Sequence, residues 1–249
     1  MNLITNPQES YLHRHKYLIT FALIWFSIWL INSMTSFKTF GLYGTLWSVG
    51  TLTYPIAYIF SDLFTEVYGY RVSRKIIWSG FFCFFSISMI GFLYSLIPGD
   101  ASFVHNQEFN FVFRNSPLLV LTSLTAFSVG EFINSYVLAK MKVWTKGKRT
   151  GLRYILSTLL GQTFDNSIFN LSGILLLGWY TWDQFIPLTI TVVLFCTGWE
   201  ILMLPITKKV INYVKKKEGL DTYDTNTNFN PFSNKTLKNE HDENKNFLR

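Results

Sequence analysis

The stretch LLGQTFDNSIFNLSGILLLGW, residues 159–179, decides the fold class because it is apolar enough for a lipid bilayer yet contains strongly polar side chains. Asp165 and three amides, Gln162, Asn166 and Asn170, interrupt its aliphatic and aromatic residues. Polar side chains are costly in hydrocarbon, so in membrane helices they face the bundle interior and mark functional sites. The stretch therefore predicts a membrane helix with one polar, functional face.

The rest of the chain has the composition of a membrane protein. Only 15% of its 249 residues are charged and 49% are hydrophobic, whereas about a quarter of the residues in a soluble domain are charged. The charges are clustered, so the windows 39–61 and 76–99 carry none, and each is longer than the ~20 residues that a membrane helix needs. Six spans are predicted, at about 17–37, 40–62, 76–97, 115–139, 154–179 and 184–207.

The predicted fold class is an all-α integral membrane protein, a six-transmembrane-helix bundle with both termini cytoplasmic. With the N-terminus inside, sixteen Lys and Arg residues fall in cytoplasmic segments and only two, Lys38 and Arg114, fall outside. Cytoplasmic segments of membrane proteins are enriched in these residues. Residues 1–16 are predicted to be a cytoplasmic N-terminal segment, 17–214 the transmembrane domain, and 215–249 a polar, flexible cytoplasmic tail.

Several function classes are disfavoured by the residue pattern. The net charge of +7 comes from basic residues that flank apolar spans, which is typical of membrane proteins rather than nucleic-acid binders. All four histidines lie outside the predicted spans, and neither a Gly-rich phosphate loop nor a nucleophile elbow is present. Cys83 and Cys196 lie within spans and have no disulfide or zinc spacing. We expect no enzyme activity, cofactor, metal or nucleic-acid partner.

Three predicted spans each place one acid at a similar depth. At 1.5 Å per residue, Glu131, Asp165 and Glu200 lie roughly 12, 16 and 11 Å from the cytoplasmic ends of their spans. No Lys or Arg lies deep in any span, and a lone carboxylate near mid-membrane costs ~2.5–3.5 kcal/mol or more. Three acids at one depth predict a shared polar cavity. Glu131 and Glu200 also suit proton coupling, because membrane carboxylates without basic partners serve as proton relays.

Helical spacing predicts the polar neighbours of these acids. Gln162 and Asp165 share a face of span five, and Asn166 borders that face. Glu131 and Asn134 share a face of span four in the same way. The predicted substrate-binding residues are Asp165, Gln162, Asn166, Glu131, Asn134 and Glu200.

Asp62 and Glu66 end span two closer to the cytoplasm. They lie one helical turn apart on one face, and Arg71, Arg74 and Lys75 follow in the next turn. We expect surface ion pairs between these acids and bases, and a role for the acids in a cytoplasmic gate or in ion coupling. Surface ion pairs are individually worth ~0–1 kcal/mol, so only a functional role would make their loss severe.

Four motifs in the chain resemble the queuosine-precursor transporter family, earlier classed as vitamin uptake transporters. They are YPIAYIFSDLFTEVYGYRVSRKIIW (54–78), LRYILSTLLGQTFDNSIF (152–169), EILMLPITKKVINYVKKKEGLDTYD (200–224) and NFNPF (228–232). The resemblance covers most of residues 15–232 and implies a six-helix, multi-pass protein of the bacterial inner membrane that imports 7-deazaguanine bases for queuosine in tRNA. Within the motifs, it marks Asp62, Glu66, Tyr68, Gly69, Gln162, Asp165, Phe169, Glu200 and Pro205.

The main hypothesis is a secondary transporter or facilitator of a deazaguanine base, such as 7-cyano- or 7-aminomethyl-7-deazaguanine. An alternative is the substrate-binding subunit of an energy-coupling-factor vitamin importer, in which a separate ATPase module supplies the energy. Copurification with ATPase subunits or strict ATP dependence would favour that subunit. A third hypothesis is a structural or signalling scaffold, whose buried carboxylates would tolerate substitution.

Overall fold

Helices make up most of the described chain. The computed structural model describes residues 15–36, 38–42, 45–114 and 116–233. Strands β1 (Thr39–Leu42) and β2 (Thr45–Ser48) pair as an antiparallel hairpin. The α-helices in these residues are α1 (Leu18–Thr35), α2 (Tyr54–Leu63), α3 (Tyr70–Ser95), α4 (Asn106–Arg114), α5 (Ser116–Trp144), α6 (Thr150–Leu175) and α7 (Trp182–Glu218).

Four helical segments of the described chain are long and apolar enough to cross a membrane. They are Leu18–Thr35, Tyr70–Ser95, Asn106–Trp144 and Trp182–Glu218. Helix α6 has the same length as α3 but is not among them, because its buried face is polar. A mostly helical protein with four helical segments long and apolar enough to cross a membrane is therefore confirmed, whereas six crossings and two cytoplasmic termini stay predictions.

The second predicted span, 40–62, is wrong in its first half. The hairpin of β1 and β2 and a 3₁₀ turn at Val49–Leu52 precede α2, which begins at Tyr54. Thr, Phe and Trp in this segment favour strands, and Pro55 in the first turn of α2 favours a helix start there. Apolar composition alone does not separate these two structures, which explains the error.

Helix α2 continues into a single π-helical segment, Phe64–Tyr68, that ends at Gly69. The backbone of Gly69 has a φ of +85°, a value that glycine adopts without steric cost. The chain turns there and α3 begins at Tyr70. The π-segment turns the side chains of Thr65 and Glu66 into the protein interior, where both are buried.

Helices α5 and α6 cross in very close contact at two glycines. A Cβ atom built on Gly161 would lie 2.9 Å from the backbone oxygen of Gly130, and one built on Gly130 would lie 2.7 Å from the Cβ of Asp165. Small residues allow membrane helices to approach in this way. The crossing brings the polar faces of α5 and α6 together beside α2.

The C-terminal strap, which we define as residues 220–233, packs along the start of α3. The Asp224 carboxylate accepts a hydrogen bond of 3.0 Å from the Tyr70 amide. Arg74 donates to the carbonyls of Asn228 and Asn230 at 3.0 and 2.8 Å. Helix α7 also extends to Glu218, so the prediction of a flexible tail from residue 215 did not anticipate these contacts.

Candidate functional site

Four elements, α2 with its π-segment, α5, α6 and α7, bring the predicted polar residues into one buried region. The side chains lie between their helices with very little exposure, none above 8%. Most of them contact one another or a neighbouring hydroxyl, in three small groups described below. The buried set comprises Asp62, Glu66, Glu131, Asn134, Gln162, Asp165, Asn166 and Glu200.

Asp165 is held by two tyrosines of α2. The hydroxyls of Tyr54 and Tyr58 both donate to its Oδ2 atom, the second at 3.0 Å. Both hydrogen bonds end on Oδ2, and none from the described residues reaches Oδ1. The sequence analysis missed both tyrosines, although Tyr54, Tyr58 and Asp62 are spaced at i, i+4 and i+8 on one face of α2.

Gln162 and Asn166 contact each other within α6. The Asn166 Nδ2 group donates to the backbone oxygen and to the side-chain Oε1 of Gln162, both at 2.9 Å. Asn166 therefore orients the Gln162 amide. The Nε2 group of Gln162 is buried and has no acceptor in the part of the chain that the structure describes, so it is the free donor of this pair.

Asp62 of α2 and Glu131 of α5 each accept a hydrogen bond from a side chain of the other helix. Asn134 Nδ2 donates to Asp62 Oδ1 at 2.9 Å, and the Ser61 hydroxyl donates to Glu131 Oε2. The prediction that Asp62 pairs with Arg71, Arg74 or Lys75 is wrong. The side chain of Asp62 points into the bundle, where an amide rather than a base meets it.

Glu200 of α7 completes this buried acidic region. Its Oε1 atom is buried without a donor among the described residues. Its carboxyl interacts electrostatically with Asp62, as do those of Glu131 and Glu66. Within the described ranges, no group of three or more His, Cys, Asp or Glu side chains is arranged to hold a metal ion.

Glu66 lies in a cluster of ion pairs, the Glu66 ion cluster, formed with Arg153, Lys142, Lys215 and Asp221. Arg153 donates to both oxygens of Glu66 at 2.9 and 3.1 Å, and Lys215 Nζ lies 2.7 Å from Glu66 Oε1. Lys142 Nζ lies 3.6 Å from the same oxygen and 2.6 Å from Asp221 Oδ1. The cluster ties α5, α6, α7 and the strap to the π-segment.

The ion cluster corrects the sequence analysis in two ways. The basic partners of Glu66 come from α5, α6 and α7 rather than from Arg71, Arg74 and Lys75, because the π-segment turns Glu66 inward. The pairs are also buried rather than exposed, since Glu66 and Arg153 are each 1% exposed. We call the end of the bundle that contains this cluster the basic end.

The unpaired polar atoms show what the region can do chemically. Buried polar groups normally have hydrogen-bond partners, yet several here have none among the described residues. They supply acceptors from carboxylates and donors from an amide and hydroxyls, which suits a small polar molecule or protons. The unpaired atoms are Asp62 Oδ2, Glu131 Oε1, Asn134 Oδ1, Glu200 Oε1, Gln162 Nε2, Ser128 Oγ, Tyr154 Oη, Thr158 Oγ1 and Thr197 Oγ1.

The apolar helices and the buried polar region together define a multi-pass membrane protein with a polar interior. Residues 48–210 match the family described as "Putative vitamin uptake transporter". Because the match covers more than half of the chain, this protein belongs to that transporter family.

One curated relative gives a more specific comparison. The chain is similar to the "Probable queuosine precursor transporter" of Bacillus subtilis (strain 168), with 25% identity over 169 residues, which cover 68% of this chain and 73% of the relative. No solved structure matches the chain significantly.

Proposed function

We propose that this protein imports a queuosine precursor, a 7-deazaguanine base, across the bacterial inner membrane. The family membership and the name of the Bacillus subtilis relative support the class of substrate. One observation carries the proposal. Asp165 Oδ1, which accepts no hydrogen bond from the described residues, and the unpaired Nε2 donor of Gln162 lie one turn apart on the same face of α6.

These two groups complement the edge of a guanine-type base. That edge presents two adjacent donors, the ring N1–H and the exocyclic amine, beside a carbonyl acceptor. The Oδ1 atom of Asp165 accepts from these donors, and Gln162 Nε2 donates to the carbonyl. Asn166 orients Gln162, and the hydroxyls of Tyr54 and Tyr58 position Asp165.

The remaining polar residues line the path of the base toward the basic end. Glu131, Asn134 and Glu200 lie on α5 and α7, which border α6, and each has an unpaired oxygen. The Glu66 ion cluster joins the same helices at the basic end, so it serves as the gate that must separate before the base leaves. Among the buried acids of the described residues, only Glu66 has a basic partner in this region. The other acids can therefore bind and release protons, and we expect a proton gradient to supply the energy for uptake.

Transfer RNA analysis tests the substrate directly. A bacterial strain blocked in queuosine synthesis is supplied with single precursors, with and without this protein, and queuosine in its tRNA is measured. We expect queuosine only when the protein and a deazaguanine precursor are both present. Equal queuosine without the protein, or with the Asp165→Asn variant, would contradict the proposal. For this comparison, the variant is expressed at the level of the parent protein.

A second measurement distinguishes the transporter from an energy-coupling-factor subunit. Uptake of the base is followed in proteoliposomes that contain only this protein and a proton gradient. We expect uptake without ATP and its abolition by a protonophore. Uptake that needs ATP and copurifying ATPase subunits would favour the vitamin-importer subunit, and uptake indifferent to protonophores would indicate facilitated diffusion.

A further inference from the structure

A buried carboxyl and a buried amide form a hydrogen bond where α2 contacts α5. Asn134 Nδ2 donates to Asp62 Oδ1 at 2.9 Å, and both side chains are fully buried. The second oxygen of Asp62, Oδ2, and the oxygen of Asn134, Oδ1, are also buried, and neither has a donor among the described residues. Two acceptors are thus left over beside a single hydrogen bond.

One proton resolves this mismatch. A carboxylic acid and a carboxamide are planar groups of similar shape, each with one donor and one acceptor on the same edge. When the amide donates to one carboxyl oxygen, a proton on the other oxygen donates back to the amide carbonyl. An ionised Asp62 lacks that donor, and buried acceptors without partners are unfavourable. The contact is therefore complete only when Asp62 is protonated.

No base among the described residues forms an ion pair with Asp62. The bases of the Glu66 ion cluster, Arg153, Lys142 and Lys215, are engaged by Glu66 and Asp221. A buried charge without a partner is strongly unfavourable, so Asp62 is held in its neutral form. The titratable groups that interact with Asp62 are Glu66 of the π-segment, Glu131 of α5, Tyr154 of α6, Glu200 of α7, and Tyr58 of α2 itself.

We propose that Asp62, paired with the amide of Asn134, is the proton-binding residue of the transport cycle. This inference rests on the proposed transport function. Separation of α2 from α5 breaks the contact with Asn134 and admits water, whereupon Asp62 releases its proton and becomes a carboxylate. Reformation of the contact requires a proton from the other side. Glu131 has a serine donor in place of an amide, so it lacks the amide carbonyl to which a protonated carboxyl could donate.

Infrared spectroscopy tests the protonated pair without any transport. The purified parent protein at neutral pH should show a carbonyl band of a protonated carboxyl group. Glu131, Asp165 and Glu200 are also buried without a basic partner among the described residues, so the band of the pair is the one that Asp62→Asn removes from the parent spectrum. The matched control Glu131→Gln should retain it. Asn134→Ala keeps the carboxyl but removes its partner, so the band should shift to higher frequency, as for a less hydrogen-bonded acid. A parent spectrum from which Asp62→Asn removes no carbonyl band would overturn the proposal.

Transport in proteoliposomes tests the role of the proton. Asp62→Asn should lose uptake driven by a pH gradient by at least tenfold but should retain exchange of labelled for unlabelled deazaguanine, which needs no net proton movement. Gradient-driven uptake equal to that of the parent would overturn the proposal. If Asp62→Asn does not fold, the band shift in Asn134→Ala decides. If the parent shows the infrared band but neither binds nor moves the base, the proposed substrate fails while the acid–amide pair stands.

Discussion

At the scale of single residues, the open oxygen of Asp165 and the free amide of Gln162 are the groups with the most specific chemistry. Asp165→Asn keeps the shape of the side chain but replaces an acceptor with a donor, which would face the donors of the base in the proposed binding mode. Each buried polar group left unpaired costs ~1–3 kcal/mol, so we expect transport to fall by roughly tenfold to a hundredfold. Uptake of labelled base, normalised to the amount of protein in the membrane, measures the effect.

The exposed acid Asp183, in the first turn of α7, is the matched control for this substitution. Asp183→Asn should leave uptake unchanged because its side chain is not part of the buried region. Parental affinity of purified Asp165→Asn for the deazaguanine would show that the base edge binds elsewhere, with Glu131 and Glu200 as the next candidates.

A second residue-scale prediction concerns the stability that Glu66 provides. Glu66→Gln leaves the buried guanidinium of Arg153 without its bidentate partner, and loss of one member of a buried ion pair typically costs about 3–5 kcal/mol. We expect a clear fall in the thermal unfolding temperature in detergent. Glu108→Gln is the control, since the Glu108 side chain is 71% exposed and should not change the unfolding temperature. Equal unfolding temperatures for both variants would rule out a structural role for the ion cluster.

The residues of this site were only partly predictable from the sequence. The period of 3.6 residues correctly predicted that Gln162, Asp165 and Asn166 would be buried together, because that pattern is local to one helix. The contacts of Tyr54 with Asp165 and of Arg153 with Glu66 join residues about ninety or more positions apart. Such contacts depend on how helices pack, and hydrophobic periodicity carries no information on that.

At the scale of secondary-structure elements, the crossing of α5 and α6 sets the geometry of the polar region. A methyl group on Gly161 would lie 2.9 Å from the backbone oxygen of Gly130, and backbone atoms cannot rotate away as side chains do. We expect Gly161→Ala to destabilise the protein by about 1–3 kcal/mol through overpacking. Thermal unfolding and uptake should both decline, because the polar faces of both helices move apart.

The same helical bundle contains a control for this glycine. Gly198 lies within α7, and a methyl group there would meet no atom within 4 Å. Gly198→Ala should leave stability unchanged or raise it by up to about 1 kcal/mol, since alanine favours helices more than glycine does. Similar losses in both variants would mean that the close crossing of α5 and α6 is not the cause.

The strap provides an element-scale prediction that depends on pH. Burial raises the pKa of Asp221, but hydrogen bonds and charges from Lys142 and Lys215 outweigh it and lower that pKa from 3.8. A carboxylate with a lowered pKa stabilises the folded state above its unfolded pKa of ~3.9, and this stabilisation is lost only as pH falls through the lower, folded value. Hydrogen exchange of residues 220–233, corrected for intrinsic rates, should therefore stay constant from about pH 8 to pH 5.

Substitution of Asp221 should weaken the packing of the strap equally at every pH between about 5 and 8. The side chain is 46% exposed, so its ion pairs are worth about 0–1 kcal/mol, and Asp221→Asn should speed exchange by up to about fivefold. Asp100→Asn is the control, because hydrogen bonds from Ser102 also lower the pKa of Asp100 but residue 100 lies far from the strap in the chain. Faster exchange in the parent as the pH falls from 8 to 5 would contradict the assignment of this part of the strap's stability to the ionised Asp221 carboxylate.

Element boundaries were predicted best where one structure was clearly preferred. The spans that correspond to α1, α3, α5 and α7 have long apolar runs that only a helix satisfies in a membrane. Residues 39–48 also carry no charge but are rich in strand-forming side chains, and whether they form a hairpin depends on their packing against other elements. The strap was missed for a related reason, since its backbone is ordered by Arg74 and Tyr70 rather than by its own sequence.

At the scale of the whole molecule, the two ends of the described chain lie at the same end of the bundle. The backbone amides of Lys16 and Tyr17 both donate to the carboxylate of Glu218, at 3.1 and 2.7 Å. The start of α1 and the end of α7 therefore meet beside the basic end. An even number of crossings is expected from this contact, with α6 and the α2 region added to the four apolar segments.

The α2 region is the critical element for that count. The ten residues of α2 and the five of its π-segment span only about 22 Å, which is less than the ~30 Å of the hydrocarbon core. Six crossings therefore require the hairpin of β1 and β2 to lie partly at membrane depth, where irregular backbone is tolerated only against protein. Two other arrangements are compatible with this short segment. The bilayer is locally thinner around it, or the segment is re-entrant and enters and leaves the membrane on the same side.

Reporter fusions test the number of crossings between residue 104 and the C-terminus. A reporter joined after Arg249 leaves the strap intact and should be cytoplasmic, because the basic end carries the Lys and Arg residues that stay inside. A reporter inserted beside Val104, which is 77% exposed, should be external. An external C-terminus with the same external loop would mean that the number of crossings between them is even rather than odd. The bundle would then need one of α5, α6 and α7 to lie outside the bilayer, although the Glu66 ion cluster ties all three together at one end.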